Sequence, residues 1–308
     1  MPVTVAKNAG FCFGVKRATD CVSALLRDPE VKKIYTLGAL IHNDTYLRDL
    51  ERKGVRSILA ADAESIAKES DTVGKTVLLI RAHGIPCTEE ERLRALEVTH
   101  PDFSVLDLTC PFVKRIHKIA RENTNAGTRF ILLGAPQHPE CIGIMSYARG
   151  EAAVFSSCRD IAAYLEEQKS TPKPLIVAVQ TTQSTEEWKK TQKYLKNLYT
   201  NAIFFDTICN VTETRQQEAL ALAEHSDCMI VIGGRDSSNT RKLYDLCLER
   251  CPDTRLVESA DDIGEIPCGK RISITAGAST PDGIIMEVYH KMSMEDYATL
   301  LDESLKTI

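Results

Sequence analysis

Short apolar runs recur along the chain at regular intervals. Each is four to six residues long, rich in Val, Ile and Leu, and closes on Gly or a polar residue. Three of them, in IYTLGALIH, FILLGAPQH and MIVIGGRDS, end in Gly and carry a polar residue four positions later: His42, His138 and Ser237. Three more, in TVLLIRAHG, LIVAVQTTQ and ISITAGAST, carry His83, Thr181 and Ser279. An apolar run without alternation is the pattern of a parallel strand buried on both faces. Between the runs lie helix-like stretches such as VKRATDCVSALLRD, VKRIHKIARENT and ETRQQEALALAEHS. Strands alternating with such helices predict parallel α/β units.

The runs form a threefold repeat, and a cysteine heads each copy. Cys12, Cys110 and Cys209 are separated by 98 and 99 residues. GFCFGVKRA and TCPFVKRIH share C-x-x-V-K-R, and DLTC and DTIC share D-x-x-C. His42, His138 and Ser237 follow their cysteines by 30, 28 and 28 residues; His83, Thr181 and Ser279 follow those by 41, 43 and 42. The expected fold is three similar α/β domains with parallel sheets around a pseudo-threefold axis. Their expected bounds are 13–95, 96–199 and 200–282, the third completed by an N-terminal strand within 1–12. A C-terminal helix and tail are expected over 283–308. Ligands of open parallel sheets bind beyond the carboxyl ends of the strands. The repeated polar positions all fall at such ends, so the axis is where they would meet.

Composition narrows the class. The chain has 308 residues, 43% apolar and 26% charged, enough for a real core. A net charge of −5 argues against a nucleic-acid partner. No apolar run approaches the roughly 20 residues of a membrane span, and the N-terminus has no signal-peptide apolar region. The expected location is the cytoplasm, where disulfides are rare. Eleven cysteines, an odd number without a C-x-x-C pair, argue against a disulfide frame, a zinc ribbon and a thioredoxin-like pair.

Packing alone does not demand cysteine at one place three times. Three thiolates on an axis match three corners of an iron–sulfur cubane, and the open fourth position is the mark of a catalytic site. A Cys-rich zinc site is the alternative, because thiolate binds both metals. Cys21, Cys141, Cys158, Cys228 and Cys268 have no repeat partner and read as core residues. Cys247 and Cys251 are spaced i,i+4 on a helix, without a further ligand in phase. His42, His83 and His138, with the hydroxyls and amides of SSNT (237–240), QTT (180–182) and GAST (277–280), are donors suited to phosphate oxygens. No Walker loop or G-x-G-x-x-G is present, so an ordinary nucleotide pocket is not indicated. His100, His117, His225 and His290 read as packed or surface residues. Glu140, two residues after His138, is the natural proton carrier beside an anion site, since burial raises a carboxyl pKa toward neutrality.

Together the strings AGFCFGVKRA, LIHN, RAHG, CPFVKRIH, HPE, QTT, TIC with RQ, GGRDSSNT and TAGASTPD resemble the IspH/LytB family, and they run from residue 9 to residue 282. The resemblance implies a three-domain α/β fold around a 4Fe–4S cluster held by Cys12, Cys110 and Cys209, its fourth iron open to substrate. It implies that a diphosphate is held by His42, His83 and His138 with Ser237, Ser238, Asn239 and Ser279, and that Glu140 and Thr181 carry protons. The implied reaction is a two-electron reductive dehydroxylation of 4-hydroxy-3-methylbut-2-enyl diphosphate to isopentenyl and dimethylallyl diphosphates, ending the non-mevalonate route to isoprenoids. With no NAD or flavin motif in the chain, a ferredoxin or flavodoxin is the implied electron donor. A non-catalytic iron–sulfur sensor or a zinc-stabilised binding module would need neither the Glu of HPE nor a full set of diphosphate donors.

Overall fold

A computed structural model describes residues 3–41, 43–168, 173–265 and 270–305, with side chains to residue 293. His42 and Cys268 lie outside the described residues.

The first third of the chain runs β1 (Thr4–Val5), α1 (Phe13–Leu25), β2 (Lys33–Leu37), α2 (Asp44–Arg52), β3 (Val55–Ile58), α3 (Ala63–Val73), β4 (Thr76–Ile80), α4 (Cys87–Thr99) and β5 (Phe103–Asp107). The middle third runs α5 (Pro111–Asn123), β6 (Arg129–Leu133), α6 (Pro139–Ser146), β7 (Glu151–Phe155), α7 (Cys158–Glu167), β8 (Leu175–Val179), α8 (Thr185–Leu198) and β9 (Ile203–Phe204). The last third runs α9 (Asn210–Ala223), β10 (Cys228–Ile232), α10 (Ser238–Leu248), β11 (Thr254–Val257), β12 (Ile272–Ala276) and α11 (Asp282–Leu305).

The strands make three four-stranded sheets of one design: β3-β2-β4-β5, β7-β6-β8-β9 and β11-β10-β12-β1. Every pairing is parallel. The expectation of three parallel α/β sheets, the third completed by the N-terminal strand, matches this topology. The apolar runs are buried for the reason their composition suggested. In the second sheet Phe130, Leu132, Ile176 and Ala178 pack on one face, and Ile131, Leu133, Val177 and Val179 on the other. In the third, Ile230 and Ile232 face one layer and Met229 and Val231 the opposite one. Helix α11 supplies Ile284, Ile285, Val288 and Met292 to that third core.

Each sheet takes its edge strand from the segment just before a cysteine. β5 pairs with β4, β9 with β8, and β1 with β12. The first two sheets therefore run past residues 95 and 199, to Asp107 and Phe204. The division into domains at 13–95, 96–199, 200–282 and 283–308 is our proposal, drawn from the repeat. By contact density the described residues fall into two compact units. One lies within Met1–Phe13, His42–Tyr46 and Asn210–Ile308 and holds the third sheet; the other, Gly14–Ile41 and Leu47–Cys209, holds the first two.

Candidate active site

The larger unit builds a connected set of polar groups at the carboxyl ends of its strands. Cys110 immediately precedes α5, whose first residue is Pro111. Proline suits the first helical position because the N–H it lacks would have no partner there. The Cys110 N–H donates to Ala82 O at 2.9 Å, and the Cys209 N–H to Thr181 O at 3.0 Å. Cys209 likewise directly precedes a helix, α9. The free N–H groups of a helix start favour negative charge.

Between these cysteines lies Glu140, 2% exposed, on the first turn of α6. Thr181 donates its backbone N–H to Glu140 Oε1 and its hydroxyl to Oε2, both at 2.8 Å. Burial pushes the Glu140 pKa up to about 7, against the opposing pull of the two Thr181 bonds. His138 caps α6: its Nδ1 accepts the Glu140 N–H at 3.2 Å. Nδ1 thereby takes the acceptor role, so the neutral ring carries its proton on Nε2. The His83 ring meets the His138 ring edge-on, with centroids 5.3 Å apart. A continuous path thus runs from Cys209 through Thr181, Glu140, His138 and His83 to Ala82 and Cys110.

The smaller unit repeats the design with other side chains. The Cys12 N–H donates to Ala278 O at 3.3 Å, and Cys12 directly precedes α1. Ser237 caps α10 by accepting the Thr240 N–H at 3.4 Å. Asn239 is buried, and its Nδ2 has no hydrogen-bond partner among the described residues. Gly277 lets the turn that carries Ser279 close onto α10, since a Cβ there would stand 2.0 Å from Thr240 Oγ1. The smaller unit thus carries Cys12, Ser237, Ser238, Asn239 and Ser279 of the expected site, and the larger unit the rest of the described set.

The hydrogen bonds refine the repeat. The turns after β4, β8 and β12 close in the same way: Gly84 N–H to Arg81 O, Gln183 N–H to Gln180 O, and Thr280 N–H to Gly277 O. In that frame the counterpart of His83 and Ser279 is Thr182, not Thr181. Thr181 matches Ala82 and Ala278, whose carbonyls receive the other two cysteine N–H groups. The one-residue offset arises because spacing counted from the second element spans loops of unequal length. Gln180 escaped individual notice. It is buried, its Oε1 accepts the Ala135 N–H at 2.9 Å, and its Nε2 donates to Thr182 Oγ1 at 3.2 Å. Its place in QTT was the available signal.

Among the described residues, no group of three or more His, Cys, Asp or Glu side chains is arranged to hold a metal ion. The chemistry of the individual thiols does separate the cysteines. Cys141, Cys158, Cys228, Cys247 and Cys251 are buried, while Cys12, Cys110 and Cys209 are partly exposed, as are Cys87 and Cys21, the latter expected in the core. Burial raises the pKa of Cys228 to about 11 and of Cys247 to about 12, so those thiols stay protonated and inert. The three repeat cysteines are partly exposed, each directly precedes a helix, and each donates its N–H to the equivalent carbonyl of Ala278, Ala82 or Thr181, a setting that Cys87, the first residue of α4, does not share; they are the donors that fit a thiolate-bound cluster. Asn239, with a buried donor unfilled beside the α10 start, fits an anionic ligand.

The fold and site define a three-sheet parallel α/β protein that combines repeated thiols with an acid poised near neutral pH. The chain belongs to the LytB protein family, whose model matches residues 3–293. It is 38% identical to the 4-hydroxy-3-methylbut-2-enyl diphosphate reductase of Caldanaerobacter subterraneus subsp. tengcongensis, over 95% of this chain and 96% of that protein. It is 40% identical to the reductase of the same name from Clostridium acetobutylicum over 94% of this chain, and there it spans only 43% of the relative's length. A solved structure of (E)-4-hydroxy-3-methyl-but-2-enyl diphosphate reductase, described as the terminal enzyme of the non-mevalonate pathway, superposes with a TM-score of 0.65 at 34% identity. That match covers 95% of this chain and 99% of the other.

Proposed function

We propose that this protein is a 4-hydroxy-3-methylbut-2-enyl diphosphate reductase, acting in the cytoplasm at the last step of the non-mevalonate pathway. The observation that carries the reading is Glu140, a buried carboxylic acid held by Thr181 on the path between two cysteines that each directly precede a helix. Family membership and the two named relatives support it.

In this reading Cys12, Cys110 and Cys209 would hold a 4Fe–4S cluster, which when bound would pass on two electrons, one at a time, from a small ferredoxin or flavodoxin. His138 and His83, with His42, Ser237, Ser238, Asn239 and Ser279, grip the diphosphate and so fix the substrate's far end. Positioning of this kind can contribute several kcal/mol to the rate. With its pKa near 7, Glu140 holds a proton for a substantial fraction of the time at neutral pH. It can therefore deliver that proton as the substrate hydroxyl leaves as water. The Thr181 hydroxyl donates to the carboxylate and can turn to accept from the acid, so one side chain serves both states. Burial of Glu140 keeps bulk water from shortcutting the transfer.

The test is anaerobic reconstitution with iron and sulfide, then a reduced-dye assay. Substrate-dependent dye oxidation yielding isopentenyl and dimethylallyl diphosphates is expected. A protein that binds the cluster but leaves the dye reduced would be a sensor, and one that takes up zinc but no iron–sulfur cluster a binding module.

A further inference from the structure

Two arginines hold the backbone ahead of two cysteines at the same relative position. Arg215, on α9 and 2% exposed, donates from Nη2 to Gly10 O at 2.8 Å. Gly10 lies two residues before Cys12. Arg17, on α1, donates from Nη2 to Leu108 O at 2.8 Å and to Thr109 O at 2.7 Å. Leu108 lies two residues before Cys110. In both cases the helix that follows one cysteine grips the loop that presents another. Around Cys12 the loop is pinned from three directions. Gly10, at φ +93°, is pressed against α11, where a Cβ would stand 2.9 Å from Asp282 Oδ1. Its carbonyl goes to Arg215, and the Cys12 N–H goes to Ala278 O.

The third loop shows that a cation is not needed for this task. Thr207, two residues before Cys209, uses its own hydroxyl, which donates to Val179 O and accepts the Val179 N–H at 3.0 Å. A neutral side chain therefore suffices to hold such a loop. Taking a guanidinium out of water is costly unless its charge is used. Two of the three loops nonetheless take an arginine, and each sets a positive charge against the backbone one or two residues before a repeat cysteine. Thiolates coordinating a cluster, and the electron that a cluster gains, are the negative charges such cations would answer.

We infer that Arg17 and Arg215 are positioning residues of the iron–sulfur site: they lock the backbone that presents Cys110 and Cys12, and their charge favours the reduced, more negative cluster. The inference rests on the cluster reading of the three cysteines given above. It predicts a division between geometry, which any long donor at these positions partly restores, and charge, which only a cation restores. A unit charge about 10 Å away at an effective dielectric near 20 changes a redox equilibrium on the order of tenfold.

The experiment uses the full chain, reconstituted anaerobically, with iron content, absorption spectrum and redox titration as readouts. Arg215→Gln and Arg17→Gln should each lower the midpoint potential. At the poise where half of the wild-type cluster is reduced, their reduced-to-oxidised ratio should fall several-fold, up to about tenfold. Arg215→Lys and Arg17→Lys should keep the midpoint near that of the wild type, even where iron retention drops. Arg271→Gln, which breaks an exposed pair with Asp227, serves as control and should leave the midpoint unchanged. Glutamine variants that fold, fill with iron and titrate like the wild type would overturn the inference alone. So would lysine variants whose midpoint falls as far as that of the glutamine variants. A wild-type protein that never takes up a cluster would overturn the cluster reading, and this inference with it.

Discussion

Thr181 meets both oxygens of Glu140 with two different donors, its backbone N–H and its hydroxyl, each at 2.8 Å. Both bonds favour the ionised carboxylate, and burial favours the neutral acid. Burial wins, and the pKa rises to about 7. A carboxyl in that balance is an acid at neutral pH, whereas an exposed glutamate has already lost its proton.

Replacing Glu140 with Gln should abolish turnover while leaving the fold and substrate affinity intact. Gln can accept the Thr181 N–H and donate to the Thr181 hydroxyl, so the local geometry survives. It cannot release a proton. The expected loss is about 10²–10⁴ in the steady-state rate with a reduced dye. Turnover within about threefold of wild type would remove Glu140 from the reaction.

The same residue should write a signature into stability. Its folded pKa lies above the ordinary glutamate value of 4.5. The folded state therefore binds the proton more tightly than the unfolded chain. Its contribution is complete below pH 4.5 and is lost as pH rises through about 7. The amount at stake is about 3 kcal/mol. In urea titrations across this range Glu140→Gln should flatten the decline and gain on the wild type above pH 7. Parallel profiles for the two proteins would contradict the buried-acid assignment.

Thr181 and Thr182 should separate in kinetics. Thr181→Val removes one of the two bonds that hold the Glu140 carboxylate, so kcat should fall by about tenfold and its pH profile should move upward. Thr182 occupies the place of His83 and Ser279 in the repeat, both proposed above to hold the diphosphate. Thr182→Val and His138→Ala should chiefly raise KM. A His138→Ala enzyme with unchanged KM and lost turnover would reassign that histidine to chemistry.

Serine at position 12, 110 or 209 should abolish iron retention, whereas Cys158→Ser should keep both iron and activity. Cys158 is buried at the start of α7, and burial raises its thiol pKa. Iron analysis after gel filtration reads the outcome directly. Full iron content in Cys110→Ser would end the three-thiolate proposal.

His117 stacks on Tyr147, with ring centroids 4.1 Å apart, beneath the turn that carries His83. A Cβ on Gly84 would stand 2.7 Å from His117 Cε1, and the Tyr147 hydroxyl donates to Glu90 at 2.8 Å. Burial lowers the His117 pKa from 6.5 to about 4. The folded state therefore prefers the neutral ring. Its contribution is present above pH 6.5 and is lost as pH falls toward 4, about 3 kcal/mol in all. His117→Phe keeps the stack and removes the titration, so its unfolding free energy should hold up better than wild type's between pH 6 and 4, measured by denaturant titration. Equal acid sensitivity in the two proteins would refute this account.

The amino-acid sequence by itself determined the threefold repeat, the parallel strands and the residues at their carboxyl ends. Strands buried on both faces must be apolar throughout, and a cysteine that recurs at spacings of 98 and 99 residues cannot be mistaken for packing. It also singled out Glu140, by its neighbours. Four matters were decided only by the tertiary structure. Pairing across the chain assigned β5 and β9 to the sheets before them, because strand order depends on partners rather than on local pattern. The turn hydrogen bonds separated Thr182 from Thr181, which residue counting across loops of unequal length could not do. The grip of Arg17 and Arg215 on loops 91 and 205 residues away left no local trace. A guanidinium reaching a backbone carbonyl asks nothing of the side chain at the far end. The near-neutral pKa of Glu140 is of the same kind: its cause is the removal of water on every side, a property of the folded surroundings and not of the residue.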